Sequence, residues 1–572
     1  MPRARPRLNR GSLASCATSK RSSGNSNECH MTTSARGIAV LRDPHLNKSG
    51  AFSEAERDAL GLTGLVPESI DNETIQRERV TKRLAELSSS LDQYRELRAL
   101  QDFDETLYYR LLMSDQARFM PIVYTPTVGE ACLKFGHLGV RPRGLHLSIK
   151  RKGRIREILR TWPERNVRFI VVTSGERILG LGDLGAHGMP IPIGKLALYT
   201  AGGGVPPHLT LPVTIDFGTN NGSLLKDPLY VGLRRHRPPA AEVDELVEEF
   251  VTAVQEEFPD CCIQFEDWGR EDAFRLLDRY RDRICSFNDD IQGSAAVVLA
   301  GVLSALRLTG GALRDQTFLF LGAGSAAVGI ANLLTDAMML QGLSPEDARE
   351  RIWLFNRGGL VHSARKDLAG YQRPYAQSHA PIARFVDAVE SIKPTAIVGV
   401  STLAKAFDQS VIEAMARINR RPIILALSNP TSHSECTAQE AYKWSDGRAV
   451  FASGSPFAPV SYRGRVFVPG QCNNVYVFPA VGLAVYATGA RRVTSEMFLA
   501  AAHAIAEQVT GADLEAGLIY PAPSNLLAVE VHTARRVAEV AFSRGLASVD
   551  LPKDLRALVE SCVYEPAYPS LL

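Results

Sequence analysis

Thr317-Phe318-Leu319-Phe320-Leu321-Gly322-Ala323-Gly324-Ser325-Ala326-Ala327 decides the fold of this chain. An apolar, strand-like run ends in a Gly-x-Gly turn, and Ala326-Ala327-Val328-Gly329-Ile330-Ala331-Asn332-Leu333-Leu334 then reads as a helix start with small residues for close packing on a sheet. A turn that hands over directly to a helix presents backbone amides to a pyrophosphate, so the segment predicts a dinucleotide-binding βα unit. Gly322 and Gly324 are its phosphate-side glycines, and Ala327 is the small residue that lets helix and strand approach. A second match to the loose pattern, Gly180-Leu181-Gly182-Asp183-Leu184-Gly185, runs into Gly188-Met189-Pro190-Ile191-Pro192, where the prolines predict no helix. Context therefore selects the later motif.

The following strand-like run, Arg351-Ile352-Trp353-Leu354-Phe355, is expected to end in an acid if a ribose 2′-hydroxyl is gripped there, yet Asn356 and Arg357 follow. Loss of the carboxylate and gain of a cation favour a 2′-phosphate, hence NADP over NAD. Further runs at 396–400 and 422–427 continue the βα series downstream. Upstream, β-branched runs at 167–172, 211–215 and 262–265 alternate with helix-like segments at 241–258 and 272–281, which predicts a second, largely parallel sheet. Residues 53–112 carry an apolar stripe (Leu84, Leu87, Leu91, Leu97, Leu100) at helical spacing, and 497–508 and 524–542 are helical again. The fold class is α/β with a helical N-terminal region.

Two acidic segments carry the chemistry. Ile263-Gln264-Phe265-Glu266-Asp267-Trp268 and Cys285-Ser286-Phe287-Asn288-Asp289-Asp290-Ile291-Gln292-Gly293 each place adjacent carboxylates straight after an apolar run. Acidic pairs at the ends of buried strands repel one another unless a divalent metal or a proton stands between them. Oxygen-only ligands favour Mg2+ or Mn2+ over zinc. A helix N-cap and a turn would account for either segment by itself.

Composition narrows the rest. A chain of 572 residues exceeds one core, so two or more domains are expected, and its 45% hydrophobic content can build them. A net charge of +3 is too mild for a nucleic-acid surface. The nine cysteines show no CxxC and one adjacent pair, Cys261-Cys262, which implies a reducing compartment. No uninterrupted apolar stretch reaches the length of a membrane span; the nearest, 475–490, is broken by Pro479 and two glycines and reads as buried. Neither nucleic acid nor membrane is expected as a partner. Residues 1–36 are Arg- and Ser-rich with a single acid, Glu28, which fits a transit peptide, a disordered basic tail, or a start codon assigned ahead of Met31. A disordered tail or mis-assigned start is the favoured reading and the cytoplasm the expected location, with the mitochondrial matrix as the alternative if the tail is a transit peptide.

Five stretches then carry a family likeness: 121–132 (Pro-Ile-Val-Tyr-Thr-Pro-Thr-Val-Gly-Glu-Ala-Cys), 175–185 (Gly-Glu-Arg-Ile-Leu-Gly-Leu-Gly-Asp-Leu-Gly), Phe265-Glu266-Asp267, Phe287 to Gly293, and Leu427-Ser428-Asn429-Pro430-Thr431. In this order the chain resembles the large-subunit type of malic enzyme from about residue 42 to about 541. The resemblance implies metal-dependent oxidative decarboxylation of (S)-malate to pyruvate and CO2 with reduction of NAD(P)+, and decarboxylation of oxaloacetate as well. It implies Glu266, Asp267 and Asp290 as metal ligands and Asp289 as a neighbouring carboxylate that tunes the base. Lys195 matches the general base, a role that needs a pKa lowered by burial and the nearby metal. Tyr124 matches the general acid for enolpyruvate, Arg177 the clamp on a substrate carboxylate, and Asn429 and Asn473 two amides that hold the substrate.

The implied organisation is a helical region at 37–142, a malate- and metal-binding domain at 143–288 completed by 474–545, a Rossmann-like NAD(P)-binding domain at 289–473, and an extension at 546–572. A homo-oligomer, dimer or tetramer, is expected by the same resemblance. The chain departs from the family at Gln471-Cys472 ahead of Asn473, at Ser174, and at Phe103, where fumarate-activated members carry an arginine. No fumarate activation is therefore predicted. The rival readings are a malolactic enzyme, converting malate to lactate, and a silent dinucleotide-binding sensor.

Overall fold

The computed structural model of the protein describes residues 33–572, so the reading of residues 1–36 falls almost wholly outside the described residues. The chain forms two compact units, one comprising residues up to Ser114 together with Glu565–Leu572, the other Asp115–Tyr564. The first is helical, with helices Glu54–Leu60, Glu73–Ala85, Ser90–Phe103 and Glu105–Ser114 where the leucine stripe predicts them. Ser53 and Glu56 close a reciprocal capping box at the first of these. The C-terminal residues belong to this unit's core: Leu571 packs with Val40, Phe52 and Leu60, and the Tyr568 hydroxyl donates to Asp104.

The second unit holds both sheets. Strands β1 (Leu145–Ser148), β2 (Phe169–Thr173), β3 (Thr210–Asp216), β4 (Cys262–Glu266) and β5 (Ser286–Asn288) form a five-stranded sheet in the order β1-β3-β2-β4-β5, with every pairing parallel. β2, β3 and β4 are buried along their whole length. That is why they read as continuous apolar runs instead of alternating ones. In register, Thr173 faces Glu266 and Phe265 faces Asn288, so the acids that follow β4 and β5 emerge side by side at one sheet edge.

The second sheet contains β6 (Phe318–Leu321), β7 (Ile352–Asn356), β8 (Gly359–Leu360), β9 (Ala396–Gly399), β10 (Ile423–Ala426), β11 (Val450–Ser453) and, after the small hairpin β12 (Val460–Tyr462) and β13 (Arg465–Phe467), β14 (Gly470–Gln471). The order is β14-β11-β10-β9-β6-β7-β8, parallel except for the β7–β8 turn-back. The chain leaves β6 toward β7 on one side and returns to β9 on the other. A crevice therefore opens above the carboxyl ends of β6 and β9, the general position for a ligand in such sheets.

Two expectations need correction. The stretch after Gly180–Gly185 does become a helix, Pro190–Ala201, because its prolines fall in the first turn, where amides have no intrahelical acceptor to lose. The motif is still unlike a phosphate loop, since sixteen residues (174–189) separate β2 from that helix. Second, Asp289–Thr309 is long and apolar enough, by length and composition, to cross a membrane, contrary to the reading that no stretch qualifies. It is a core helix: its Ala- and Val-rich surface is 72% buried over the most apolar window, and it packs against Ser325–Leu340 and Ser495–Glu507. The 475–490 stretch contains the buried helix Phe478–Thr488, with Pro479 in its first turn.

Candidate active site

At the shared edge of β4 and β5, Glu266, Asp267 and Asp290 bring one carboxylate oxygen each to within 4.8 Å of one another. Glu266 ends its strand and accepts a 2.7 Å hydrogen bond from Gln264, itself held by the Tyr199 hydroxyl at 2.6 Å. Asp267 sits in the left-handed region at φ 55°, a strained conformation that persists only where surroundings over-determine it. Its amide donates to the Asp290 carboxylate at 2.8 Å, and Trp268 anchors the turn through a 2.9 Å bond to the Val172 carbonyl. Burial pushes all three carboxyls above their ordinary range, and their mutual repulsion adds to it, only partly offset by Lys195. One Asp267 oxygen is buried with no hydrogen-bond partner. An all-oxygen, repulsive, partly unsatisfied donor set fits a hard divalent cation.

Asp289 and Asp290 lie in a wide π turn, Asp289–Gly293, closed at its start by Asn288, whose side chain accepts from the Ile291 amide. Gly293 is required here, because a Cβ would collide with the Asp289 carboxylate. Asp289 binds Lys195 at 2.5 Å, and Glu266 lies 3.1 Å from the same ammonium. Lys195 is 1% exposed, on the buried helix Pro190–Ala201, which removes the alternative of a surface lysine at a turn. Burial draws its pKa down, but Asp289, Glu266 and Tyr124 outweigh burial and hold it well above the ordinary value. The density of carboxylates that face the amine is the reason, and the lowering expected from sequence belongs to the site with its metal bound. Tyr124 is buried after the helix Gln116–Val123, its ring centre 5.3 Å from Lys195 Nζ, and burial pushes its hydroxyl well above the usual value.

Tyr124, Lys195, Glu266, Asp267 and Asp290 share a cleft of about 200 Å3 with Arg177, Asn429 and Asn473. Arg177 is partly buried, and its amide donates to the Asp267 carbonyl at 3.3 Å, tying the clamp to the acidic turn. The Asn429 side chain accepts from Ser455 at 2.6 Å, and the Asn473 side chain accepts from the Val475 amide at 3.0 Å. Ser325 and Ala326, straight after the glycine turn, line the same cleft. Gly322 has φ 126° and a Cβ there would press on the Val400 carbonyl at 2.7 Å, so only glycine fits. Gly324 caps the helix Ser325–Leu340, on which Ala327 is 1% exposed.

Asn356 ends β7 and accepts from Arg365 at 2.9 Å, and Arg357 is exposed; neither Asn356 nor Arg357 lines the cleft. Three contributors escaped the sequence reading. Asn474 donates to Asp289 at 2.9 Å and so shares it with Lys195. Arg270 lies within 3.2 Å of where a Cβ on Gly324 would stand. Arg365, not Arg357, is the cation on Asn356. Only Asn474 had a signal, its place beside Asn473.

The comparisons agree with this geometry. Residues 101–281 match the family model for the malic enzyme N-terminal domain and 291–542 that for the malic enzyme NAD-binding domain. The chain is 50% identical over 540 residues to a chloroplastic NADP-dependent malic enzyme of Oryza sativa subsp. japonica, covering 94% of this chain and 84% of that one. It is 50% identical, again over 94% of its length, to the NADP-dependent malic enzyme of Phaseolus vulgaris, 92% of which is covered. Among solved structures, Entamoeba histolytica malic enzyme superposes with a TM-score of 0.56 at 21% identity, over 90% of this chain and 92% of that one, which speaks to the fold. Pyrococcus horikoshii malic enzyme gives 0.53 at 25% identity, over 78% and 88%. With both halves matched in order and half of its residues identical to these relatives, the chain belongs to the malic enzyme family.

Proposed function

We propose that this protein oxidises (S)-malate with NADP+ and decarboxylates the product to pyruvate. One observation carries the reading: a buried Lys195–Tyr124 pair borders a three-carboxylate cluster in the same cleft that Ser325 and Ala326, straight after the Gly322–Gly324 turn, help to line. Arg177 presents a planar fork suited to a substrate carboxylate, and Asn429 and Asn473 supply amides to orient it. Lys195 Nζ receives the proton of the C2 hydroxyl, with Asp289 and Asn474 holding the amine in place. Tyr124 Oη returns a proton to C3 once CO2 has left. Glu266, Asp267 and Asp290 would hold Mg2+ or Mn2+, which supplies polarisation of the C2 oxygen and stabilisation of the enolate charge. A cation on Glu266 would offset one of the charges that raise Lys195 and so favour its neutral form; Asp289, the larger contributor, stays beside the amine.

NADP is supported by the absence of an acid after β7 and by relatives described as NADP-dependent. The seven cysteines among the described residues are free thiols, which suits a reducing compartment such as the cytoplasm or an organelle interior. A homo-oligomer is the expected assembly, checked by light scattering. Malate-dependent coenzyme reduction with each coenzyme, with and without Mn2+, tests the whole reading. Pyruvate with NADPH supports it, and lactate without net reduction identifies a malolactic enzyme instead.

A further inference from the structure

Glu435 is completely buried, yet it lines no part of the cleft. It lies just before the helix Ala438–Trp444, under the ends of β9 and β10, and a Cβ on Gly399 would overlap its side chain. Its carboxylate collects four donors from two loops. One oxygen takes the Ser428 hydroxyl at 2.5 Å, the Ser401 amide at 3.3 Å and the Ser401 hydroxyl at 3.4 Å. The other takes the Ser428 amide at 3.2 Å. Among the described residues no cation pairs with it, so these donors are what stabilise it. Burial pushes the carboxyl above its ordinary range and the hydrogen bonds draw it back.

The loops so joined are the ones that face the coenzyme and the substrate. Val400 and Thr402 after β9, and Leu427, Ser428 and Asn429 after β10, all line the cleft. Thr402 stands at φ 60°, a region that β-branched residues avoid. Its amide donates to Ser428 Oγ at 2.8 Å, and that hydroxyl donates in turn to Glu435. A single acceptor therefore fixes a strained residue on the coenzyme side and the neighbour of Asn429 on the substrate side.

We infer that Glu435 is a positioning residue whose carboxylate, through Ser401 and Ser428, holds the loops 400–402 and 427–429 in the arrangement that binds coenzyme and malate together. This rests on the function proposed above. The metal carboxylates belong to the other sheet, so their affinity is independent of Glu435.

The test compares Glu435→Gln, Glu435→Ala, Ser428→Ala and the double variant Glu435→Ala/Ser428→Ala in the full-length protein. KM for malate and for NADP+, kcat, and the Kd for Mn2+ alone are measured. Each lost hydrogen bond between buried groups weakens binding by up to about tenfold. Glu435→Ala is expected to raise both KM values about tenfold or more with the Mn2+ Kd unchanged. Glu435→Gln keeps the oxygen that serves Ser401 and the Ser428 hydroxyl, and should fall between wild type and alanine. The double variant should cost less than the two single effects combined, since both break one relay. KM values within about twofold of wild type in Glu435→Ala, additive effects, or Mn2+ affinity falling in step with KM would overturn the inference. Coenzyme Kd by fluorescence titration reports on Glu435 even if the wild type proved to have another substrate, so the two failures are distinguishable.

Discussion

Replacing Lys195 by methionine keeps the length and apolar stem of the side chain and deletes the ammonium. A positioned proton acceptor contributes about 10^2 to 10^4 in rate, which at about 1.36 kcal/mol per decade is about 3–5 kcal/mol of transition-state stabilisation. The same ammonium stands 2.5 Å from Asp289 and 3.1 Å from Glu266 in a site where all three side chains are buried. Removing one partner from a buried ion pair costs about 3–5 kcal/mol of stability, because the remaining charge is uncompensated. Added Mn2+ should recover part of that loss, since the cation binds the carboxylates left behind. Coenzyme affinity should stay within about threefold of wild type, because Gly322 and Gly324 depend on the other sheet. The assay is malate-dependent NADPH formation, run beside coenzyme titration by fluorescence and thermal unfolding with and without Mn2+. Turnover within about tenfold of wild type would remove Lys195 from the chemistry and leave its burial without a function.

Asp267→Asn exchanges a carboxylate for a neutral amide at the strained turn after β4, and Mn2+ affinity by calorimetry should fall by about tenfold or more. Unchanged affinity would displace Asp267 from the ligand set. Glu530, on the helix Leu526–Ser543, is completely buried, and burial pushes its carboxyl well above the ordinary value of 4.5, only partly offset by the Ala480 backbone. The unfolded chain releases this proton near pH 4.5 while the folded chain keeps it. Stability therefore falls as pH rises from there toward the folded pKa, by up to about 1.4 kcal/mol per pH unit. Glu530→Gln should gain stability relative to wild type as pH rises above the ordinary carboxyl range in urea unfolding, and a pH-independent difference would refute the assignment. Fumarate should leave the malate-dependent rate unchanged, as the family resemblance implies for the stretch 101–105, which offers Phe103 and acids and no arginine; a clear rise in rate would overturn this.

The dinucleotide unit was legible because its signals are local. An apolar run, a Gly-x-Gly turn and a helix start at 317–334 each follow from neighbours in sequence, and β6 and the helix Ser325–Leu340 form there. The acidic pairs were legible for a related reason, since carboxylates straight after a buried strand are costly enough to demand an explanation. The meaning of Pro190 and Pro192 was not, because a proline that breaks a helix interior is harmless in a first turn, and where that turn begins is set by packing.

Tertiary structure alone brought Lys195 to Asp289 across 94 positions and Asn474 to Asp289 across 185. It alone showed which carboxylates face the lysine and revealed Glu435 as the join between two loops. Local sequence determines which backbone conformations are cheap, and so which elements form. Electrostatics and hydrogen bonding depend on distances across strands that are remote in sequence, and only the folded chain sets those distances.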